Sequence, residues 1–460
     1  MLPSQRRLLV LDDDPTGSQC VHDVTLAFDD KASLIQRTLA EPASTCFVLT
    51  NTRALDQADA ISSNKRILEN LLKEFAQQGI SPRTAGLHPV SRSDSTLRGH
   101  VIAEPNALAD VLEAHGVATD AFLFAPAMLE AGRFTQNNIH YAMLAGRQQP
   151  VADTDFAQDA SFGYKNSQLD LFLEEVSQGQ VSAGSVLSIS LEDIRQGGVA
   201  RVKEILNQAN NRQWVIINAT EYSDLNTVAD AVTLLEAQGK TFISRCGPSF
   251  VRSLAGQLGP KVLDDQNIFI NPDSLGHGLV VVGSHVSLTS EQLEVLRQST
   301  ELSEQELVLE KLLHPQSRKQ HIQEKCAAIE AALATKDVVL YTSRQLVKGS
   351  DPAESLAIAR SVSDAVVELV QRLAHLKLAW VVAKGGITSH EVARRGLGID
   401  LARVAGQFYA GQISLMSPLK FSREAGGAPY IVFPGNVGDR QALADVVGRL
   451  QAATQRSQEG

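Results

Sequence analysis

Cysteine is scarce. There are four in 460 residues, Cys20, Cys46, Cys246 and Cys326, and no Cys-x-x-Cys pair. That spacing supplies neither a zinc ligand set nor a disulfide framework, and it fits free thiols in a reducing cytoplasm. Long apolar runs are missing too. The first, Leu8 to Leu11, is cut short by Asp12-Asp13-Asp14, so it reads as a strand and not as a signal peptide or membrane span. Positive charge is in deficit: 42 Lys+Arg against 52 Asp+Glu give a formal net charge of −10. With no basic tract, a general nucleic-acid binder is disfavoured, whereas a small anionic substrate needs only a few local arginines. Gly-x-Ser-x-Gly, His-Glu-x-x-His and a Cys-His pairing are absent, which leaves hydrolase mechanisms built on them without residues.

What is present is alternation. Apolar strand patterns at Leu8–Leu11, Cys46–Thr50, Thr84–Val90 and Ala121–Phe124 are separated by helical patterns such as Asp56–Gln78. This β-α-β-α order predicts an α/β protein whose sheets are mostly parallel and flanked by helices. Each strand ends in a polar cluster: Asp12-Asp13-Asp14-Pro15-Thr16-Gly17-Ser18, Asn51-Thr52-Arg53, Ser91-Arg92-Ser93-Asp94-Ser95-Thr96-Leu97-Arg98-Gly99, and Glu130 to Arg133. In open α/β sheets the carboxyl edge of the strands binds ligands, so the clusters predict one shared site. Residues 145–180 read as a polar surface excursion with a helix at Leu169–Val176. The Gly-, Pro- and Asp-rich stretch 256–278 marks a boundary, predicting domains at 1–260 and 275–460.

The second half repeats strand, small-residue turn and helix. The turns fall at Gly283-Ser284, Gly385-Gly386 and Gly435. Thr388 with Glu391, and Thr289 with Gln292, have capping-box spacing, so helices are expected to start there. Three such turns in one domain favour a cradle for nucleotide phosphates, although glycine also ends many strands for steric reasons. Gly239-Lys240-Thr241 only resembles the tail of a P-loop, because Leu234 stands where the earlier glycine is required. Gly396-x-Gly398 lacks the third glycine of a dinucleotide fingerprint.

Candidate chemistry concentrates on charged residues. The Asp12-Asp13-Asp14 run is able to supply a general base, a Mg²⁺ site or acceptors for sugar hydroxyls, or to cap the next turn. Carboxylates this close need a cation or an arginine partner. Arg53, Arg92, Arg98 and Arg133 follow three different strands; single arginines commonly form surface salt bridges, but their convergence suits an anionic substrate. Ser93, Ser95 and Thr96 suit helix capping or hydroxyl binding. His285 and His390 are read as structural. Lys384, just before Gly385, either neutralises phosphate or faces solvent.

Taken together, Asp12-Asp-Asp-Pro-Thr-Gly17, Asn51-Thr-Arg53, Ser93-Asp-Ser-Thr-Leu-Arg-Gly99, Gly283-Ser284, Gly385-Gly-Ile-Thr-Ser389 and Gly435-Asn436 resemble the four-carbon acid sugar kinase family, over nearly the whole chain. The resemblance implies a sugar-binding N-terminal domain, a nucleotide-binding C-terminal domain and an active site in the cleft between them. It also implies ATP- and Mg²⁺-dependent phosphorylation of a terminal hydroxyl on a four-carbon sugar acid. By position, Ser284, the turn Gly385, Gly386, Ile387 and Thr388, and Gly435 would contact ATP. Asp12, Asp13, Arg53, Asp94, Ser95 and Arg98 would line the sugar-acid site beside Arg92, with Asp13, ahead of Asp12, as the base. The Asp-Ser-Thr-Leu-Arg-Gly form looks more like the D-threonate and D-erythronate branch than the 3-oxo-tetronate branch. A non-catalytic sensor of the same ligands is the other reading, and a homodimer is compatible with either. Two departures stand out: His285 where many members carry Cys or a small residue, and Pro434-Gly-Asn-Val-Gly438 in place of a Ser-Gly-Asn-Phe-Gly run.

Overall fold

The computed structural model describes residues 6–14, 18–144, 146–344 and 352–459, with the side chains of 352–356 excepted. Pro15, Thr16 and Gly17 of the first polar cluster lie outside the described residues. The chain forms two compact units, Met1–Pro260 and Lys261–Gly460.

In the first unit the strands are β1 Arg7–Asp12, β2 Thr25–Ala27, β3 Thr45–Leu49, β4 Leu87–Arg92, β5 Ala121–Ala125, β6 Arg133–Gln136, β7 Ile139–Leu144, β8 Arg147–Pro150, β9 Leu187–Ile189, β10 Gln213–Ile217 and β11 Phe242–Cys246. Eight of them lie in the order β2-β3-β1-β4-β11-β5-β10-β9, and every pairing among them is parallel. Strands covered on both faces read as continuous apolar runs, and Leu8 to Leu11 and Phe122 to Ala125 are buried throughout. Helices Gln57–Gln77 and Ala103–Ala114 cover the sheet with Leu68, Leu71, Phe75, Leu108 and Leu112.

Two expectations shift here. β4 starts at Leu87 and not Thr84, because Ser81 and Thr84 hydrogen-bond to each other in a turn. The 145–180 excursion contains the expected helix at Leu169–Val176. Ahead of it, β6, β7 and β8 form a small antiparallel sheet that sequence pattern alone did not reveal.

The second unit holds β12 Leu279–Val282, β13 Ser303–Leu307, β14 Val338–Thr342, β15 Val381–Lys384, β16 Ile399–Gln407, β17 Ser414–Phe421 and β18 Tyr430–Phe433. The order β13-β14-β12-β15-β18 is parallel, and β17 and β16 follow antiparallel. Val280, Val282, Val382, Ile431 and Phe433 pack against Leu293 and Leu296 of helix Ser287–Ser299 and Leu443, Val446 and Leu450 of helix Ala442–Glu459. Among the described residues no helix is long and apolar enough to cross a membrane.

Candidate active site

Strand register sets the charges of the first unit side by side. Asp12 pairs level with Leu49 on one side and Arg92 on the other, and Arg92 is level with Cys246. Asp12 is fully buried. Its Oδ1 accepts from Arg92 Nη1 at 2.7 Å and from the Asp14 backbone N–H at 3.0 Å. Burial raises its pKa to about 6 despite Arg92.

Asp13 is different. It is 1 % exposed, and neither carboxylate oxygen has a hydrogen-bond partner. Two guanidiniums stand just beyond hydrogen-bond reach: Arg53 Nη1 lies 3.9 Å from Oδ1 and Arg245 Nη2 3.9 Å from Oδ2. Burial pushes the Asp13 pKa well above the usual carboxylate range, with Arg53 and Arg245 pulling the other way. Gly99 lets the Asp-Ser-Thr-Leu-Arg-Gly loop approach this carboxylate. Its φ is +111°, and a Cβ there would lie 2.8 Å from Asp13 Oδ2 and 3.0 Å from Arg245 Nη2.

Other members of the cluster are held by one another. Arg53 pairs with Asp14 and lies 3.8 Å from Asp94. Arg98 Nε donates to Asp94 Oδ2 at 2.6 Å, and its Nη1 lies 3.7 Å from Asp159. Against the pull of burial, Arg53 and Arg98 hold the Asp94 carboxyl below its usual range. Ser95 is buried with its hydroxyl 3.7 Å from the Met128 sulfur, while its carbonyl faces His140 Nε2 at 2.8 Å. Arg92, bound to Asp12 and buried, braces the strand ends.

Two participants escaped sequence reading. Arg245 is fully buried, donating to Ser91 Oγ at 2.7 Å and to Glu104 Oε2 at 2.5 Å. Glu104 also accepts from Thr52 at 2.5 Å. The available signal was an arginine inside the apolar strand Phe242-Ile-Ser-Arg-Cys, since a charge there requires a buried partner. Asp12, Asp13 and Asp14 are met by arginines. Among the described residues there is no group of three His, Cys, Asp or Glu placed to hold a metal.

In the second unit, register brings the three turns level: Val282 pairs with Lys384, and Lys384 with Phe433. The turns interlock through side chains that elsewhere would be bulk. A Cβ on Gly283 would collide with Thr388. On Gly385, φ +124°, it would sit 3.1 Å from both Ser284 Cβ and Thr388 Oγ1; on Gly435 it would lie 2.7 Å from Ser284 Oγ. Ser284, Gly385, Thr388 and Gly435 are thus brought together. Gly386 opens the helix that follows, and Ile387 is 66 % exposed beside it.

Both expected capping boxes are replaced. Helix Gly386–Glu391 starts after Gly385 with no side-chain cap and runs into a π-helical stretch, Val392–Leu397. Ser389 Oγ donates to the Ala383 and Gly385 carbonyls at 2.7 Å each. The other helix starts at Ser287. Thr289 donates instead to the Gly435 carbonyl at 2.8 Å, and Gln292 to Val437 and Asp439 carbonyls at 3.0 and 2.6 Å. Those residues anchor the third turn.

Lys384 is neither solvent-facing nor free for a ligand. It is 0 % exposed, and its Nζ donates to the Pro434 and Gly435 carbonyls at 2.6 and 3.2 Å over the Phe433 ring at 3.9 Å. Burial lowers its pKa to about 7. Arg344, which the motifs did not flag, follows β14; it donates to the Ser284 carbonyl and to Ser290 Oγ, both at 2.6 Å. His390 is buried with its pKa lowered to about 4 by burial, in keeping with a structural role. Lys240 of the P-loop look-alike pairs with Asp120 at 2.9 Å.

Two family models match this chain: a sugar-binding N-terminal domain over residues 8–254 and a nucleotide-binding C-terminal domain over 279–443. The chain belongs to the four-carbon acid sugar kinase family. Membership assigns sugar binding to the unit that carries Asp13 and nucleotide binding to the unit that carries the three turns. No curated protein matches the sequence. Two solved structures share the fold. One is a Haemophilus influenzae protein from a family of unknown function, with 15 % identity, TM-score 0.67, and coverage of 97 % of this chain and 99 % of that one. The other, from Salmonella typhimurium LT2, is described provisionally as a tRNA synthase; its identity is 16 %, TM-score 0.67, and coverage 96 % and 98 %.

Proposed function

We propose that this family member is an ATP-dependent kinase that phosphorylates the terminal hydroxyl of a four-carbon sugar acid, D-threonate or D-erythronate. The observation that carries the reading is Asp13: a buried carboxylate without a hydrogen bond, at the carboxyl end of a central strand of the sugar-binding unit. Such a group has both the unmet acceptor capacity and the raised proton affinity that a general base needs.

The substrate hydroxyl donates to Asp13. As its oxygen attacks the γ-phosphorus in line, the proton passes to an Asp13 oxygen, the bond to the β,γ-bridging oxygen breaks, and ADP leaves. Arg53 and Arg245 stabilise the carboxylate form that accepts the proton. Asp12 acts by holding Arg92 and the Asp14 backbone, which fixes the strand end. Asp94, Ser95 and Arg98 form the loop wall that positions the sugar hydroxyls. In the nucleotide-binding unit, backbone at Ser284, Gly385 to Thr388 and Gly435 holds the phosphates, and Ile387 offers an apolar contact. Mg²⁺ carried in on the ATP phosphates would offset their charge.

An ADP-release assay over a panel of four-carbon sugar acids tests the proposal. Turnover is expected with threonate or erythronate. Turnover confined to a 3-oxo-tetronate would move the assignment to that branch, and tight binding of an acid with no turnover would support the sensor instead.

A further inference from the structure

Four arginines of the sugar-binding unit already have carboxylate partners. Arg92 has Asp12, Arg53 has Asp14, Arg98 has Asp94, and Arg245 has Glu104. A guanidinium neutralised in this way has less left to offer an incoming anion. Arg133 is the exception in the cluster. Among the described residues its side chain makes no hydrogen bond and no ion pair, and its Nε is shielded from water without a partner. The charges acting on it are Asp94 and Arg98, which places it beside the acceptor site, and burial lowers its pKa.

The surroundings of Arg133 are built and not incidental. It opens β6, and its backbone N–H and C=O both bond to Met128 at 3.0 Å, so it stands on a fixed hairpin. A ring stands against it: Phe156, whose centroid lies 5.5 Å from the Arg133 guanidinium and 5.6 Å from that of Arg98. Phe156 comes from the 145–180 excursion. That segment is tied to the Asp-Ser-Thr-Leu-Arg-Gly loop by Tyr164, which donates to the Thr96 carbonyl at 2.7 Å, and by Asp159 opposite Arg98. An unpaired, partly desolvated cation on an aromatic platform gains more from a bidentate anion than a solvated one does.

We infer that Arg133 is the receptor for the substrate carboxylate, with Phe156 orienting its guanidinium and the 145–180 excursion serving as the acid-selecting wall of the site. The assignment rests on the sugar-acid reading above. It divides the labour of the cluster: Asp13 takes the reacting hydroxyl end, and Arg133 the acid end.

The test combines steady-state kinetics, calorimetric binding of the sugar acid and thermal unfolding on the full chain. Arg133→Met should raise KM and Kd for the sugar acid by about tenfold or more, the loss of one charge-assisted bidentate contact. KM for ATP and the melting temperature should stay unchanged. Arg133→Lys should recover part of the loss, and Phe156→Leu should weaken acid binding less than Arg133→Met. Acid affinity within about twofold of wild type in Arg133→Met would overturn the assignment. So would parallel losses for acid, ATP and stability, which mark a structural role. A wild-type chain that neither binds nor phosphorylates any four-carbon acid would instead defeat the kinase reading itself.

Discussion

The two units use the same edge of the same kind of sheet in opposite ways. In the sugar-binding unit the strand ends carry charge: Asp12, Asp13, Asp14 and Asp94 interleave with Arg53, Arg92, Arg98 and Arg245. In the nucleotide-binding unit the charged groups described at the ends of β14 and β15, Arg344 and Lys384, are both turned onto backbone carbonyls of the turns. Lys384, buried, is spent on two carbonyls, and shape comes from glycines that let Ser284 and Thr388 close in. On the proposed function, a site that moves a proton and binds an acid is served by side-chain charge that is partly desolvated. A site that grips a polyphosphate is served by backbone N–H groups, provided the turns are locked together.

The largest effect expected from breaking this contrast is at Asp13. Asp13→Asn should lower kcat by about 10²–10⁴-fold while leaving ATP binding intact. The same change should raise thermal stability. Burial raises the folded-state pKa of Asp13 above its unfolded value. The folded chain therefore favours the protonated form, and stability is lost as pH rises through the folded value. The gain in melting temperature should be larger at pH 9 than at pH 5, and a variant that is slower yet no more stable at high pH would contradict this account. In wild type, the acid limb of the kcat/KM profile should lie above the ordinary carboxylate range.

Next in size is Gly385→Ala. A residue with a Cβ is disfavoured at φ +124°, and the Cβ would press on Ser284 and Thr388. A loss of about 1–3 kcal/mol is expected, with a raised KM for ATP and an unchanged Kd for the sugar acid. An equal effect on both ligands would erase the division between the units.

Lys384→Met sharpens the comparison from the other side. It leaves the Pro434 and Gly435 carbonyls without their donor, so destabilisation of about 1–3 kcal/mol is expected. The folded pKa of about 7 lies below the unfolded value of 10.5. Between those values the unfolded chain holds a proton that the folded chain has shed, so the stability Lys384 supplies grows as pH rises from 7 and is lost as pH falls through the folded value. Melting curves of wild type and variant should diverge as pH goes from 7 to 9. A variant with unchanged stability and a reduced kcat would instead make Lys384 a phosphate ligand. The smallest effect is Tyr164→Phe, which removes one bond to the Thr96 carbonyl and should cost about 1 kcal/mol with a modest rise in KM for the acid.

Local pattern carried much of this. The apolar runs of β1, β12 and β15, the polar clusters after β1, β3 and β4, and the glycine turns are all readable as sequence because each depends on neighbours within a few residues. What was hidden depends on strand order. Arg245 meets Glu104 of the helix Ala103–Ala114 across 141 positions, and Lys384 meets Pro434 across 50, because the strand order brings distant segments of the chain together. Thr289 and Gln292 had the spacing of a local cap, but the helix starts earlier, at Ser287, and both side chains donate to carbonyls of the third turn. β16 and β17 were missed because polar residues and Pro418 blur their alternation.

The central claim is that phosphate is transferred to the sugar acid and not to water. Following the full chain with ATP and threonate or erythronate by ³¹P NMR tests it most directly. The account predicts a phosphomonoester resonance, split by the protons of the substrate's terminal carbon, growing in step with ADP. Inorganic phosphate appearing with ADP and no ester, or no ADP at all with either acid, would contradict it.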